Sequence, residues 1–340
     1  MTSQPTHRPE HPEAFLLERQ TNDALTAYLR EQPWFGADEL VHSVENPGAG
    51  NMNFVIRATT NRRSFILKQA LPYVYRYPQV AAPVARGETE AAFYQSIQDQ
   101  PELRPYIPYL IGFDAQHHVL ALEDLGTGAD FTFLYHSPEQ ITEEQLQQLV
   151  QFLSHLHRIK AEPSDERALQ NNDMRKLNHE HIFRYPYAED NGLDLDTVVP
   201  GLQAVSQSYK QNDSLKRRVA ELGALYLQSG DTLLHGDYYP GSWLRAAPGV
   251  RVIDPEFGFF GPAEFDGGVM LAHALLSGGS VYTPERILEC YQPTGNWDES
   301  LAYSFAGAEV LRRILGLAQL PLTQTLDQRV ALLEHASALL

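Results

Sequence analysis

Polar and apolar residues alternate early in the chain and recur at helical spacing later, and this change of period divides the sequence. Asn22 to Gln32 predicts a short helix, and Glu39 to Glu45 begins a strand. The turn-rich stretch Asn46-Pro-Gly-Ala-Gly-Asn-Met-Asn53 separates it from a second strand, Phe54 to Thr59. Thr60-Asn-Arg-Arg63 then turns into a third, Ser64 to Lys68. Three antiparallel strands with glycines in the first hairpin predict a curved sheet with an open tip. A helix is expected from about Ala85 to Ile97, and His118 to Glu123 reads as another apolar strand. Asp124-Leu-Gly-Thr-Gly128 breaks that strand with two glycines, as a hinge would. Beyond it the pattern turns helical. Thr142 opens a capping-box-like Thr-Glu-Glu-Gln, followed by an apolar face of Leu146, Leu149, Val150, Leu153 and Leu156. Further helices are expected at about Ser214 to Gln228 and about Asp298 to Gln319. The pattern predicts an α+β chain: a small β-rich lobe over residues 1–123, a hinge over 124–128 and a larger, mainly helical lobe over 129–340.

At 340 residues the chain is long enough for two such lobes. No segment approaches a transmembrane run, and the N-terminus has neither a basic nor an apolar signal region, so neither membrane insertion nor secretion is expected. The single cysteine, Cys290, excludes an intrachain disulfide and fits a reducing, cytoplasmic compartment. A formal net charge of −17, from 43 acidic and 26 basic residues, argues against nucleic acid or an anionic membrane as partner. The same field repels a free anion, so a phosphate-bearing ligand requires a metal ion and a few placed cations.

The chemistry concentrates in His235-Gly-Asp-Tyr-Tyr-Pro-Gly-Ser242 and Val252-Ile-Asp-Pro-Glu256. Asp237, in a tight loop, can accept a hydrogen bond from a hydroxyl nucleophile and align it with a γ-phosphate; the alternative is a turn-capping aspartate. Asp254 and Glu256, at the end of an apolar strand, can hold a divalent cation, against the alternative of a surface Asp-Pro turn. Ser242 offers its hydroxyl to a metal or to the turn backbone. Lys68 can reach phosphates if it faces inward beneath the glycine hairpin; otherwise it is a solvated strand-edge residue. Its partner would be Glu88 or Glu90, about 200° apart on a helix, with Glu90 preferred. Gly48 and Gly50 let the hairpin backbone approach phosphates, and Asn51 and Asn53 can donate to them, although Gly-x-Gly also makes ordinary turns. Adjacent helical side chains diverge by about 100°, so at most one of Arg312 and Arg313 is expected to point at a given site. Spacing alone favours a surface salt bridge to Glu309 for either.

Together these segments resemble the aminoglycoside phosphotransferase and protein-kinase-like superfamily, and within it the 5-methylthioribose kinases. The resemblance rests on Gly48-Ala-Gly-Asn-Met-Asn53, Leu67-Lys-Gln-Ala-Leu-Pro-Tyr73, Leu122-Glu-Asp-Leu125, His235-Gly-Asp237 with Gly241-Ser242, Ile253-Asp-Pro-Glu-Phe257, Phe265-Asp266 and Leu311-Arg-Arg-Ile314, in the family's order. It implies a bilobal, protein-kinase-like fold and transfer from ATP, with Mg2+, to the 1-hydroxyl of 5-methylthioribose. Asp237 would be the catalytic aspartate, and Asp254, Glu256 and Ser242 would surround the metal. Lys68 and Asn51 would contact ATP phosphates, and Leu122, Glu123, Asp124 and Leu125 would supply backbone hydrogen bonds to adenine. Arg312 and Arg313 would meet the sugar and the migrating phosphoryl, and Asp266 would brace the catalytic loop. A homodimer is common among members.

The loop departs from the family's usual His-Gly-Asp-Leu-His-Thr-Gly-Ser: Tyr238, Tyr239 and Pro240 stand where a substrate would approach, and Gly126 to Phe133 also differs. Two alternatives follow. One is a kinase for another small alcohol, such as a different 5-modified ribose, an amino alcohol or an aminoglycoside. The other is a non-catalytic nucleotide-binding module, whose signature would be loss of Lys68, Asp237 or Asp254; all three are present.

Overall fold

Alternate side chains of Phe54–Thr60 are buried, and that period of two makes the segment a strand with one face on a core. The computed structural model describes residues 15–48, 52–161, 169–246 and 248–340. The chain forms two compact units, Met1–Gly128 and Ala129–Leu340. In the first, Thr21 caps helix α1 (Asn22–Arg30) by accepting the Ala24 N–H. Strands β1 (Val41–Glu45), β2 (Phe54–Thr60) and β3 (Ser64–Gln69) follow. A small hairpin of β4 (Tyr73–Val74) and β5 (Tyr77–Ala81) leads to helix α2 (Arg86–Ile97), then β6 (Leu110–Asp114) and β7 (Val119–Glu123). The main sheet is antiparallel in the order β1-β2-β3-β7-β6. The three expected strands are joined by β7, which the sequence also offered as His118 to Glu123, and by β6, which it did not, and β3 lies at the centre. Leu25, Leu29, Phe54, Ile56, Phe65 and Leu67 fill the core beneath the sheet.

The second unit begins with β8 (Ala129–Asp130) and α3 (Glu143–Leu156), which carries the Thr142–Gln145 capping box read from the sequence. Helix α4 (Asn172–His179) runs directly into a π-helical turn, Glu180–Arg184. Helices α5 (Leu202–Lys210) and α6 (Asp213–Tyr226) precede four short strands, β9 (Thr232–Leu234), β10 (Trp243–Arg245), β11 (Val250–Val252) and β12 (Phe259–Gly261). Strand β10 pairs with β11 and β8, and β12 pairs with β9. Helices α7 (Ala263–Ser277), α8 (Pro284–Cys290), α9 (Glu299–Leu315) and α10 (Leu326–Leu339) complete the unit. Helix α9 stops at Gly316, short of the expected Gln319, where the Gly316 N–H closes on the Arg312 carbonyl.

Helix α9 is held at very short range. A Cβ on Gly268 of α7 would lie 2.6 Å from the Ala302 carbonyl oxygen and 2.5 Å from the Phe305 Cβ, both on α9. On the other side, a Cβ on Gly307 of α9 would lie 2.5 Å from the Ala336 carbonyl oxygen of α10. Across the α7–α9 contact the buried imidazole of His273 meets the buried carboxylate of Glu309, Nε2 to Oε1, at 3.2 Å. Burial pushes the imidazole down to about 4 from its ordinary 6.5, assisted by the Arg313 charge and opposed by the hydrogen bond to Glu309.

Two outcomes follow. Gly268→Ala is expected to cost about 1–3 kcal/mol in urea unfolding, because a backbone carbonyl cannot move aside cheaply; an unchanged midpoint would contradict the close crossing. Between about pH 6.5 and pH 4 the unfolded chain protonates His273 while the folded one does not. Stability should therefore be full above about pH 6.5 and fall as the pH drops towards 4. His273→Gln should flatten that part of the stability curve, and an unaltered slope would assign it to other groups.

Candidate active site

Strand β3 is central, so Lys68 is buried rather than solvated at an edge. Its Nζ lies 2.8 Å from Oε2 of Glu90, itself buried on α2. Glu88 falls on the exposed face of the same helix, as two residues of helical rotation require. One turn before Glu90, fully buried Arg86 donates from Nε to Oδ1 of Asn53 at 3.0 Å, from Nη1 to the Pro83 carbonyl at 2.7 Å and from Nη2 to the Met52 carbonyl at 3.2 Å. Asn53 is buried, and its Oδ1 ties the root of β2 to Arg86. Sequence reasoning passed over Arg86; the available signal was its i, i+4 spacing from Glu90. Gly48 is exposed, and its N–H donates to Oδ1 of Asn46. Gly50 and Asn51 lie outside the described residues.

Leu122 to Leu125 closes β7. The Glu123 carboxylate accepts from Arg104 and from the Tyr109 N–H, and its own N–H donates to the Tyr109 carbonyl at 2.9 Å. That N–H is therefore already used within the sheet. Asp124 accepts from Arg57 Nε at 2.9 Å and from the Gly126 N–H at 3.0 Å.

In the second unit, β9 delivers the loop that bears Asp237. Gly236 sits at φ +82°, and a Cβ there would lie 2.1 Å from the Phe257 carbonyl oxygen, so only glycine fits. Both oxygens of buried Asp266 accept loop N–H groups, His235 at 2.6 Å and Gly236 at 2.9 Å. Ile253 stitches the two acidic segments together. Its N–H donates to the Ser242 carbonyl at 2.9 Å, and its carbonyl accepts from Nε2 of His235 at 3.0 Å. Ser242 donates its hydroxyl to the Asp237 carbonyl at 2.9 Å, which leaves lone pairs for another ligand.

Asp254 follows in a left-handed conformation at φ +64° and is exposed. Glu256 is buried in a 3-10 turn. Asn171, absent from the sequence reading, holds this turn by donating to the Glu256 and Gly258 carbonyls at 2.9 and 3.0 Å. Among the described residues no group of three or more His, Cys, Asp or Glu side chains could hold a metal ion. The side chains expected at a metal, those of Asp254, Glu256 and Ser242, offer only hard oxygens with no nitrogen or sulfur, chemistry that fits Mg2+ completed by phosphate oxygens and water.

Both arginines, not one, reach Asp237. Arg312 and Arg313 each direct Nη2 at Oδ1 of Asp237, at 3.5 and 3.3 Å. Glu309 is not a surface partner but a buried carboxylate between them: Oε1 accepts from Arg313 Nε at 2.6 Å, and Oε2 lies 2.9 Å from Arg312 Nε. Arg312 also donates from Nη1 to Oδ1 of Asn178 at 3.0 Å. Burial would raise Glu309, yet the two guanidinium groups and His273 hold it well below the usual carboxylate range. The Asp237 side chain keeps 23% of its surface exposed. Burial pushes its carboxyl above the ordinary value, against the pull of Arg313 and Arg312.

Of the unusual loop residues, Tyr238 does not stand where a substrate would approach. Tyr238 turns into the core, donates its hydroxyl to the Leu149 carbonyl at 2.8 Å and stacks on Phe152. Tyr239 lies beneath Arg313, with the guanidinium carbon 4.6 Å from its ring centroid, and packs against His273. Pro240 starts a short 3-10 turn that ends at Ser242.

Residues 43–277 match the profile of the phosphotransferase enzyme family. A methylthioribose kinase of Exiguobacterium sibiricum is 29% identical over 87% of this chain and 86% of the relative; one from Bacillus cereus is 25% identical over 86% and 83%. Among solved structures, a spectinomycin phosphotransferase in complex with ADP and spectinomycin aligns with a TM-score of 0.51 at 16% identity, covering 94% of this chain and 98% of that one. A choline kinase from Streptococcus pneumoniae aligns with a TM-score of 0.50 at 15% identity, covering 93% and 97%. At these identities the likeness gives the fold, an α+β kinase-like arrangement with an antiparallel five-stranded sheet first and a helical region after it. Because the profile spans more than half of its length, the chain belongs to the phosphotransferase enzyme family.

Proposed function

We propose that this protein transfers the γ-phosphoryl group of ATP, with Mg2+, to the 1-hydroxyl of 5-methylthioribose, a step of methionine salvage. The observation that carries the reading is the convergence of Arg312 and Arg313 on one oxygen of Asp237. A half-buried carboxylate whose proton affinity is raised can accept the proton of an attacking hydroxyl. Two guanidinium groups beside it attract the hydroxyls of a neutral sugar and the charge that gathers on a migrating phosphoryl group. Because Asp237 and Glu309 balance the two guanidinium charges, the site offers an amine-rich acceptor such as an aminoglycoside no net attraction, whereas an acidic pocket would. The similarity to methylthioribose kinases over most of both chains points the same way.

The nucleotide side uses the first unit. Lys68, oriented by Glu90, is the cation for the ATP phosphates, to which Gly48, Gly50 and Asn51 are also assigned, with Leu122 to Leu125 for adenine. Asp254 and Glu256, with Ser242 beside them, would hold Mg2+, which when bound offsets phosphate charge. The loop that presents Asp237 is fixed by Asp266, Gly236 and Ser242.

The test is ATP consumption with a panel of acceptors. Turnover is expected with 5-methylthioribose and Mg2+, and its loss on chelation; strong turnover of an aminoglycoside or choline with none on methylthioribose would overturn the substrate reading. Asp237→Ala should lower kcat by about three orders of magnitude or more while nucleotide binding survives. Full activity in that variant would remove Asp237 from the chemistry. Lys68→Met should instead weaken ATP binding and lower kcat together, and an unchanged response to ATP concentration would leave Lys68 a purely structural cation.

A further inference from the structure

We propose that Glu309 is the positioning residue of the acceptor site, a single carboxylate that turns two divergent arginines onto Asp237. The proposal rests on the reading of Arg312 and Arg313 as acceptor-side groups. Neighbouring residues on a helix leave its axis about 100° apart, so Arg312 and Arg313 have no reason of their own to converge. Glu309 stands at i−3 to one and i−4 to the other, the two spacings that place side chains on a shared helical face. Its two oxygens divide between them, Oε1 to Arg313 Nε at 2.6 Å and Oε2 to Arg312 Nε at 2.9 Å. Arg313 is hydrogen-bonded to Glu309 through Nε while Arg312 is held there by charge contact, and Nη2 of each reaches Oδ1 of Asp237.

The carboxylate is itself fixed from behind. Tyr135 lies 2.5 Å, through its hydroxyl, from Nδ1 of His273, and His273 Nε2 lies 3.2 Å from Oε1 of Glu309. The polarity of this chain is determined. A carboxylate can only accept, so the imidazole carries its proton on Nε2, and Nδ1 accepts from the phenol. All three groups are buried. Two further contacts complete the frame: Asn178 takes Nη1 of Arg312, and the Tyr239 ring lies under Arg313. Two guanidinium groups and two carboxylates make a cluster without net charge. Removing the Glu309 charge would leave both arginines competing for Asp237, the group the acceptor hydroxyl must also reach.

The experiment is a double-mutant cycle on kcat/KM for whichever alcohol the wild-type enzyme phosphorylates, so failure of methylthioribose as acceptor would sink the substrate reading and leave this one standing. Glu309→Gln should lower kcat/KM for the acceptor about 100-fold, the loss that misplacing a binding group by about an ångström produces, while KM for ATP stays within about twofold. In an Arg313→Met background the same change should cost less than about fivefold, because most of what Glu309 positions is already gone. Equal losses in both backgrounds, or an acceptor kcat/KM within about threefold of wild type, would overturn the proposal. Glu309→Asp keeps the charge but shortens the reach, so it provides a variant whose folding is less at risk. It should lose about tenfold on the acceptor and nothing on ATP, and wild-type kinetics would overturn the proposal equally.

Discussion

Two guanidinium groups and two carboxylates in mutual contact, largely withdrawn from water, are the constraint around which the second unit is organised. Any one of these charges buried alone would cost several kcal/mol. Together, Arg312, Arg313, Glu309 and Asp237 compensate one another. The compensation holds only while α9 stays in place to within a fraction of an ångström. That accounts for glycines at its crossings with α7 and α10, where a methyl group would strike backbone carbonyls. Neutral His273 and Tyr135 then close the cluster from behind without adding a charge to it.

The loop side is as rigid as the helix side. Asp266 spends both carboxylate oxygens on the N–H groups of His235 and Gly236, Gly236 turns the chain at positive φ, and Ser242 returns to the Asp237 carbonyl. Asp237 therefore meets the arginines from a fixed direction with about a quarter of its surface open. A charge-balanced site of this kind suits an uncharged polyol acceptor, which binds by hydrogen bonds, and suits the anionic ester formed from it. The departure of the loop from the family's usual sequence also takes on a physical meaning. Tyr238 is a core residue, and Tyr239 is the aromatic floor on which Arg313 rests.

Much of the fold was legible in the sequence because it follows from period. Phe54 to Thr60 alternates, Leu146 to Leu156 recurs at helical spacing, and Thr142 carries its capping partner three residues on. Helical rotation allowed only one of Glu88 and Glu90 to face Lys68, and the structure pairs it with Glu90, the one preferred, on a sheet that buries Lys68. Short elements without a period, the β4–β5 hairpin and the π-helical turn, left no trace to read. Spacing alone misread the twin arginine, which the resemblance had assigned to the acceptor, because Cα–Cβ directions say nothing of where long flexible side chains end. Whether Glu309 is a wet surface partner or a dry clamp depends on α7 and α10, which no local spacing reveals. Tyr238 was misjudged for the same reason: its partner, the Leu149 carbonyl, lies 89 residues away.

Phosphorus NMR of the product formed from ATP, Mg2+ and 5-methylthioribose tests the central claim most directly, because it reads both the transfer and the acceptor atom. The account predicts a single new phosphate monoester whose phosphorus couples to the anomeric proton of the sugar. A monoester on another hydroxyl, or ATP consumed to ADP and free phosphate with no sugar ester, would contradict it.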